Sequence, residues 1–314
     1  MEPKTAQGSL LPDAPEGGDL FQTSHMTNRR RFLQQGSLLL AGSALAPSLA
    51  SAMKGSGKPL GSFGLQLYTL RDDLPKDPRG ILNQVAAMGY KQVESFEGDA
   101  GMFWGMGHRG FKSYMDQLGM TIVSSHCDTS PGGLDKKAAE AAEIGMKYLI
   151  NPWIGPQKTL DEYKKRADEF NKAGETCRKH GIRFAYHNHG YAFVKQDGQY
   201  PMDILLAASD PKLVDFEMDI YWVVTAGADP EAWLKKYPNR FRLCHVKDRQ
   251  KGADPKEEDA SVDVGTGSMD WSRILKTAKA QGMQYFIVEQ ERYEGTTPLK
   301  SAAVAAQYLK KLMF

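Results

Sequence analysis

The sequence predicts an α/β protein, a (β/α)8 barrel folded as a single domain. Two observations predict it. A glycine between a helical stretch and an apolar run recurs in "MGYKQVESF" at Gly89, "LGMTIVSSH" at Gly119, "IGMKYLINP" at Gly145, "HGIRFAYHN" at Gly181 and "QGMQYFIVE" at Gly282. Glycine just past a helix end takes the left-handed conformation without steric cost. Second, the apolar runs after these glycines are short, as strands buried on both faces are. Residues 61–314 supply the length, since such a barrel takes about 250 residues.

The elements follow in order. "GLQLYTL" (Gly64–Leu70) opens the barrel as its first strand, and the helical period Ile81, Leu82, Val85, Ala86 runs up to Gly89. A second clear period, Tyr163, Ala167, Phe170, Ala173, Cys177, precedes Gly181. Three strands lack or only partly share the glycine phrase: the opening one, "LVDFEMDI" (Leu213–Ile220) after a short helix near Met202–Ala208, and "FRLCHVKD" (Phe241–Asp248) after a helix that starts at Asp229-Pro230. A helix over Leu299–Leu312 closes the chain. A doubly wound open sheet is the competing architecture. It carries a glycine-rich phosphate loop after its first strand, whereas here "YTLRDDLPKDP" follows, with no G-x-G-x-x-G.

The first 52 residues read as an extension and export signal, and residues 53–60 as a linker. Arg29, Arg30 and Arg31 lead into Phe32-Leu33, a mildly apolar run spans Leu38 to Leu49, and Ala50-Ser51-Ala52 fits an A-x-A cleavage site. This order of elements defines a secretory signal, and the arginine pair before x-Phe-Leu resembles the bacterial twin-arginine signal. The expected location is therefore periplasmic or exported, with no stable membrane insertion after cleavage, because the apolar run is too short to span a bilayer. Met26 is a second candidate start. The formal charge of +2 argues against nucleic acid as a partner. Cys127, Cys177 and Cys244 have no CxxC spacing and read as buried free thiols.

In a barrel, chemistry gathers at the carboxyl ends of the strands. Those ends read Gln66, Glu94, His126, Asn151, His187 with His189, Asp219, His245 with Lys247, and Glu289. His187, Asp219, His245 and Glu289 come from four consecutive strands and can surround one point. Imidazoles and carboxylates in that combination suit one divalent cation.

The phrases "GLQLYTLRD", "VESF", "YHNHGYAF", "FEMDIYWVVTAGADP", "CHVKD", "VDVGTGSMDW" and "FIVEQE" together resemble the xylose-isomerase-like barrel superfamily, in its sugar phosphate isomerase/epimerase branch. The resemblance covers Gly61 to the C-terminus. It implies one divalent ion, commonly manganese, cobalt, magnesium or zinc, with Asp219, His245 and Glu289 matching three of the family's ligands. The fourth, usually a glutamate, is matched by His187. That departure removes one of two carboxylates that isomerases of this kind use to move a proton. It also makes the site less anionic and favours manganese or zinc. The resemblance further implies a sugar as substrate and a homo-oligomer.

Glu289 is then the expected base, with Lys247 or His189 as further catalytic groups. Two readings stay open for Lys247: an acid or polarising group at the sugar, or a salt bridge to Asp219 or Glu289. Glu94, His126, Trp222 and Trp153 are expected at the substrate, with Trp222 as the sugar platform and Tyr68, Phe103 and Trp104 in loops nearby, since aromatic faces pack on sugar C–H faces. The charged loop Arg249–Gly267 is either a solvated loop or a lid. The expected function is metal-dependent sugar isomerisation or epimerisation by proton abstraction next to a carbonyl, on a non-phosphorylated or oxidised sugar. The alternative on the same site is β-elimination from a 3-keto-glycoside. An endonuclease-type phosphodiesterase and a non-catalytic sugar-binding barrel are the alternatives from other classes.

Overall fold

The structure, a computed structural model, describes residues 57–314. The expected export signal lies outside the described residues. Eight parallel strands close into a barrel: β1 (Gly64–Gln66), β2 (Gln92–Phe96), β3 (Thr121–His126), β4 (Tyr148–Asn151), β5 (Arg183–His187), β6 (Val214–Asp219), β7 (Phe241–Val246) and, after a two-stranded ribbon of β8 (Asp248–Arg249) and β9 (Ser261–Val262), β10 (Tyr285–Val288). β10 pairs with both β7 and β1, which closes the ring. The predicted single-domain barrel is therefore what forms. Among the described residues no helix is long and apolar enough to cross a membrane.

The recurring glycines do what their position requires. Gly89, Gly119, Gly145, Gly181 and Gly282 have φ of 95°, 63°, 79°, 77° and 97°, the left-handed region a side chain resists. The helices between strands start on side-chain caps. Asp77 accepts from the Gly80 N–H before α1 (Pro78–Met88), and Thr159 accepts from the Glu162 N–H before α2 (Leu160–Lys179), each satisfying a donor that the first turn leaves free.

Two expectations need correction. The first strand stops at Gln66 and does not run to Leu70, because the Gln66 side chain accepts from the Tyr68 N–H and winds residues 67–70 into a 3-10 turn. The barrel unit also begins before Gly61. Lys58 and Phe314 exchange backbone hydrogen bonds of 2.9 and 3.1 Å, and Pro59 bridges Met313, so the end of the expected linker is tied to the C-terminus.

Inside the barrel the core is thin. Val123, Tyr148, Ile150, Ala185, Leu243 and Ile287 form the interior cluster, while the larger core lies between strands and helices. Near the amino ends of β5 and β6, Arg183 pairs with the buried Asp215, which also accepts from the Tyr148 hydroxyl. Strand register shifts once between β2 and β3, at Val93/Glu94, and once between β6 and β7, at Phe216/Glu217. Such irregularities re-aim side chains, and in both places the residue after the shift is a glutamate turned into the barrel.

Gly174 shows how closely the helical ring is pressed on. A Cβ there would meet the Leu213 carbonyl oxygen at 2.7 Å. Gly174→Ala adds helix propensity of about 1 kcal/mol but forces overpacking of about 1–3 kcal/mol. The expected outcome is a net loss of up to about 2 kcal/mol in urea unfolding, where helix propensity alone would predict a gain.

Candidate active site

The carboxyl ends of β5, β6, β7 and β10 bring His187, Asp219, His245 and Glu289 together, all buried. His187 Nε2 stands 3.1 Å from His245 Nδ1. Glu289 Oε2 is 3.2 Å from the same His245 nitrogen, and Asp219 Oδ2 lies 3.5 Å from His187 and 3.6 Å from His245. A tetrahedral ion with bonds of ~2.0–2.1 Å sets its ligand atoms roughly 3.3–3.4 Å apart, so these spacings suit one.

Surrounding groups fix which atoms face inward. His187 Nδ1 is 3.2 Å from the Pro152 carbonyl, which only accepts, so this nitrogen donates and Nε2 keeps its lone pair. His245 Nε2 donates to Glu94 Oε1 at 2.8 Å, leaving Nδ1 for the centre. Asp219 Oδ1 caps α3 (Ile220–Thr225) by accepting from the Trp222 N–H at 3.1 Å. Its Oδ2 is buried without a hydrogen-bond partner. A buried carboxylate oxygen left bare among inward-facing imidazole nitrogens is costly, and a divalent cation is the group that would satisfy it.

Beneath this set lies a second cluster of Glu94, His126 and Glu217, sharing His245. Glu94 accepts from Gln66 Nε2 at 2.8 Å and from Ser124 Oγ at 2.5 Å, besides His245. His126 Nε2 sits 2.8 Å from Glu217 and 3.2 Å from Glu94. Burial opposes charge on Glu94, but His126 and His245 outweigh it and hold the carboxyl well below its usual range. Burial likewise opposes charge on His126, yet Glu94 and Glu217 raise it to about 9. Glu217 is raised, by burial first and then by the charge on Glu94. The cluster reads as an anion, a cation and a carboxyl leaning towards neutrality, which is how a dry interior tolerates them.

Above the four-residue set opens a cavity of about 590 Å³ lined by Tyr68, Phe96, His126, Trp153, His189, Trp222, Glu289 and Glu291, among others. Of the residues expected at substrate, His126, Trp153 and Trp222 do line it, and so does His189. Glu94 does not: it is wholly buried under His245, where its oxygens are already engaged, and its expected contact with sugar hydroxyls is corrected to orienting His245. Of the two readings open for Lys247, the geometry matches the salt bridge to Glu289, with Glu291 added. Its ammonium is held by Glu291 and lies 3.5 Å from Glu289, over the rings of Tyr221 and Trp222, so it serves as counter-ion to those carboxylates. Phe103 and Trp104 pack behind the cavity, with Trp104 against Phe96 and donating to Ser95 Oγ. Burial opposes charge on Glu289, but His245 and Lys247 keep it ionised, below the ordinary carboxylate range. Burial, aided by His187, pushes His189 down to about 2, so it is neutral.

Glu217 and Glu291 were missed by reading strand ends. Alternation along β6 would have found Glu217, which is two residues before Asp219 and so on the same face. The loop after β7 is solvated over residues 250–259, and its ends are anchored. Asp248 is fully buried and accepts from the N–H groups of Gly265, Gly267 and Met269 and from Trp271 Nε1. Arg249 holds Tyr221 Oη and the carbonyls of Asp254 and Glu257.

A family model described as xylose isomerase-like TIM barrel matches residues 82–312. The chain belongs to the xylose isomerase-like TIM barrel family. An inosose dehydratase of Clostridium perfringens is 28% identical over 179 residues, covering 52% of this chain and 57% of that protein. The chain thus spans little more than half the length of such curated relatives. A crystal structure of a sugar phosphate isomerase/epimerase from Parabacteroides distasonis superposes with a TM-score of 0.66 at 29% identity, covering 85% of this chain and 98% of that one. The IOLI protein, whose crystal structure has a bound zinc atom, shares the fold at a TM-score of 0.62 and 14% identity, covering 78% of this chain and 95% of that one.

Because Glu94 fixes the tautomer of His245, Glu94→Gln should weaken divalent-ion affinity by about 10–100-fold, measured by competition with a chromogenic chelator, with far-UV circular dichroism unchanged. After chelation, the raised pKa of His126 carries a sign. Its stabilising effect is full below about 6.5 and is lost as pH rises through about 9. Urea stability should fall across that window, and His126→Gln should flatten the fall.

Proposed function

We propose that the protein is a divalent-metal-dependent enzyme that removes a proton beside the carbonyl of a keto-sugar or keto-cyclitol and expels a substituent from the next carbon. One observation carries the reading. Of the two carboxylates in the four-residue set, only Glu289 lines the open cavity, while Asp219 is sealed off as a helix cap. A single cavity-lining carboxylate in the four-residue set, with His187 where a second would stand, fits proton removal followed by loss of a leaving group better than a paired-carboxylate shuttle between carbons. The dehydratase names among the relatives support this choice.

A divalent ion held by His187, Asp219, His245 and Glu289 would supply Lewis acidity to a carbonyl and its neighbouring hydroxyl. The protein's own groups do the rest. Glu289, kept ionised by His245 and Lys247, takes the proton. His189, neutral, offers a hydrogen bond to a sugar oxygen without repelling the cation. Trp222 and Trp153 flank the ring.

Incubation with keto-sugars and keto-inositols in heavy water tests this. The expected result is deuterium entry beside the carbonyl together with an unsaturated ketone absorbing in the ultraviolet. Glu289→Gln should lower both by about 10²–10⁴-fold. An isomer that keeps every substituent would overturn elimination in favour of isomerisation or epimerisation.

A further inference from the structure

The cavity over the four-residue set does not end at its aromatic wall. A second cavity of about 630 Å³ lies on the far side, and the two share Trp153, His189 and Trp222. The second is bounded further by Tyr191, Val194 and Ala226 and rimmed by polar groups such as Lys256.

Three features mark it as a place for a ligand. Among the described residues the exposed large hydrophobic side chains are Tyr68, Trp153, Val194 and Met313, and the first three all line one or both cavities. Trp153 is 54% exposed although it stands edge-on to His189 at 4.4 Å and to Tyr191 at 5.1 Å. A tryptophan held this firmly by its neighbours yet left open to solvent is shaped for an outside partner. His189 and Tyr191 present parallel rings, 1° apart in plane, as an apolar wall with polar groups around it. Finally, Nδ1 of His189 is buried without a hydrogen-bond partner, in the wall between the cavities.

We infer that the second cavity receives the departing part of the substrate, and that this part is itself a ring: the substrate is a keto-glycoside with a cyclic aglycone or second sugar. The inference rests on the elimination reading and specifies what leaves. In a 3-keto-glycoside, Glu289 takes the hydrogen from the carbon between the carbonyl and the glycosidic carbon. The C–H electron pair becomes the new C=C bond, the glycosidic C–O bond breaks with its pair going to oxygen, and that oxygen ends with the proton that Glu289 took. No co-reactant is needed. The reacting ring lies over His187 and Glu289, and the leaving ring passes Trp153 and Trp222 into the space beside Val194 and Ala226.

Methyl and benzyl 3-keto-glucosides test it, since both expel simple alkoxides and differ by one ring. The expected result is a kcat/KM at least tenfold higher for the benzyl compound, in keeping with the binding of one buried apolar group. Ala226→Phe, which fills the second cavity, should bring that ratio close to one, chiefly by raising the KM of the benzyl compound. A ratio near one in the unaltered protein, or a ratio that Ala226→Phe leaves intact, overturns the inference. Should neither compound lose its α-hydrogen, whether by exchange in heavy water or by elimination, the reading of Glu289 as the base fails. The second cavity is then judged by calorimetry with the unoxidised methyl and benzyl glucosides, where tighter benzyl binding that Ala226→Phe removes upholds it and equal affinities overturn it.

Discussion

The imidazole of His245 is held on both nitrogens, and the interior of the barrel is organised around that fact. Nε2 gives its hydrogen to Glu94 below, and Nδ1 faces His187, Asp219 and Glu289 above. One ring thus couples the hydrogen-bonded layer of Glu94, His126 and Glu217 to the set that faces the cavity. The lower layer removes the choice of tautomer, so the upper layer presents lone pairs at one point without rearrangement.

Such a concentration of ionisable groups in a barrel needs justification, since each buried charge is expensive alone. The groups neutralise one another in stages. Glu94 and His126 form an ion pair, burial leans Glu217 towards its neutral form, and Lys247 faces Glu289 and Glu291. What is left over is Asp219 Oδ2 and the inward nitrogens. That residue of unsatisfied polarity faces the point that the four side chains surround, where an ion would satisfy it. The thin apolar cluster beneath and the Arg183–Asp215 pair supply the rigidity that keeps this arrangement from relaxing.

His187, where the sequence resemblance implies a glutamate, changes the site in a definite way. The four-residue set carries two carboxylates, and one of them, Asp219, gives one oxygen to capping α3 and keeps the other for the ion. A histidine pinned by the Pro152 carbonyl can give a lone pair to an ion but cannot remove a proton while bound to it. Base chemistry is therefore left to Glu289. The two cavities separated by Trp153, His189 and Trp222 extend the same logic outward: chemistry on one side of an aromatic wall, room for a second ring on the other.

The local pattern by itself determined the barrel. Glycines at helix ends, short apolar runs and capped helices act through neighbours in the chain, so Gly89, Gly119, Gly145, Gly181 and Gly282 were legible, as was the gathering of His187, Asp219, His245 and Glu289 at strand ends. Tertiary structure alone decided which polar side chains open to the cavity and which are sealed beneath it. Glu94 and Glu217 follow register shifts between strands distant in sequence, and Lys247 found its partner in Glu291, 44 residues on. Register between strands and the partner of a long side chain depend on packing across the whole ring. No local pattern encodes them, which is why a glutamate expected at the sugar proved to be the anchor of a histidine.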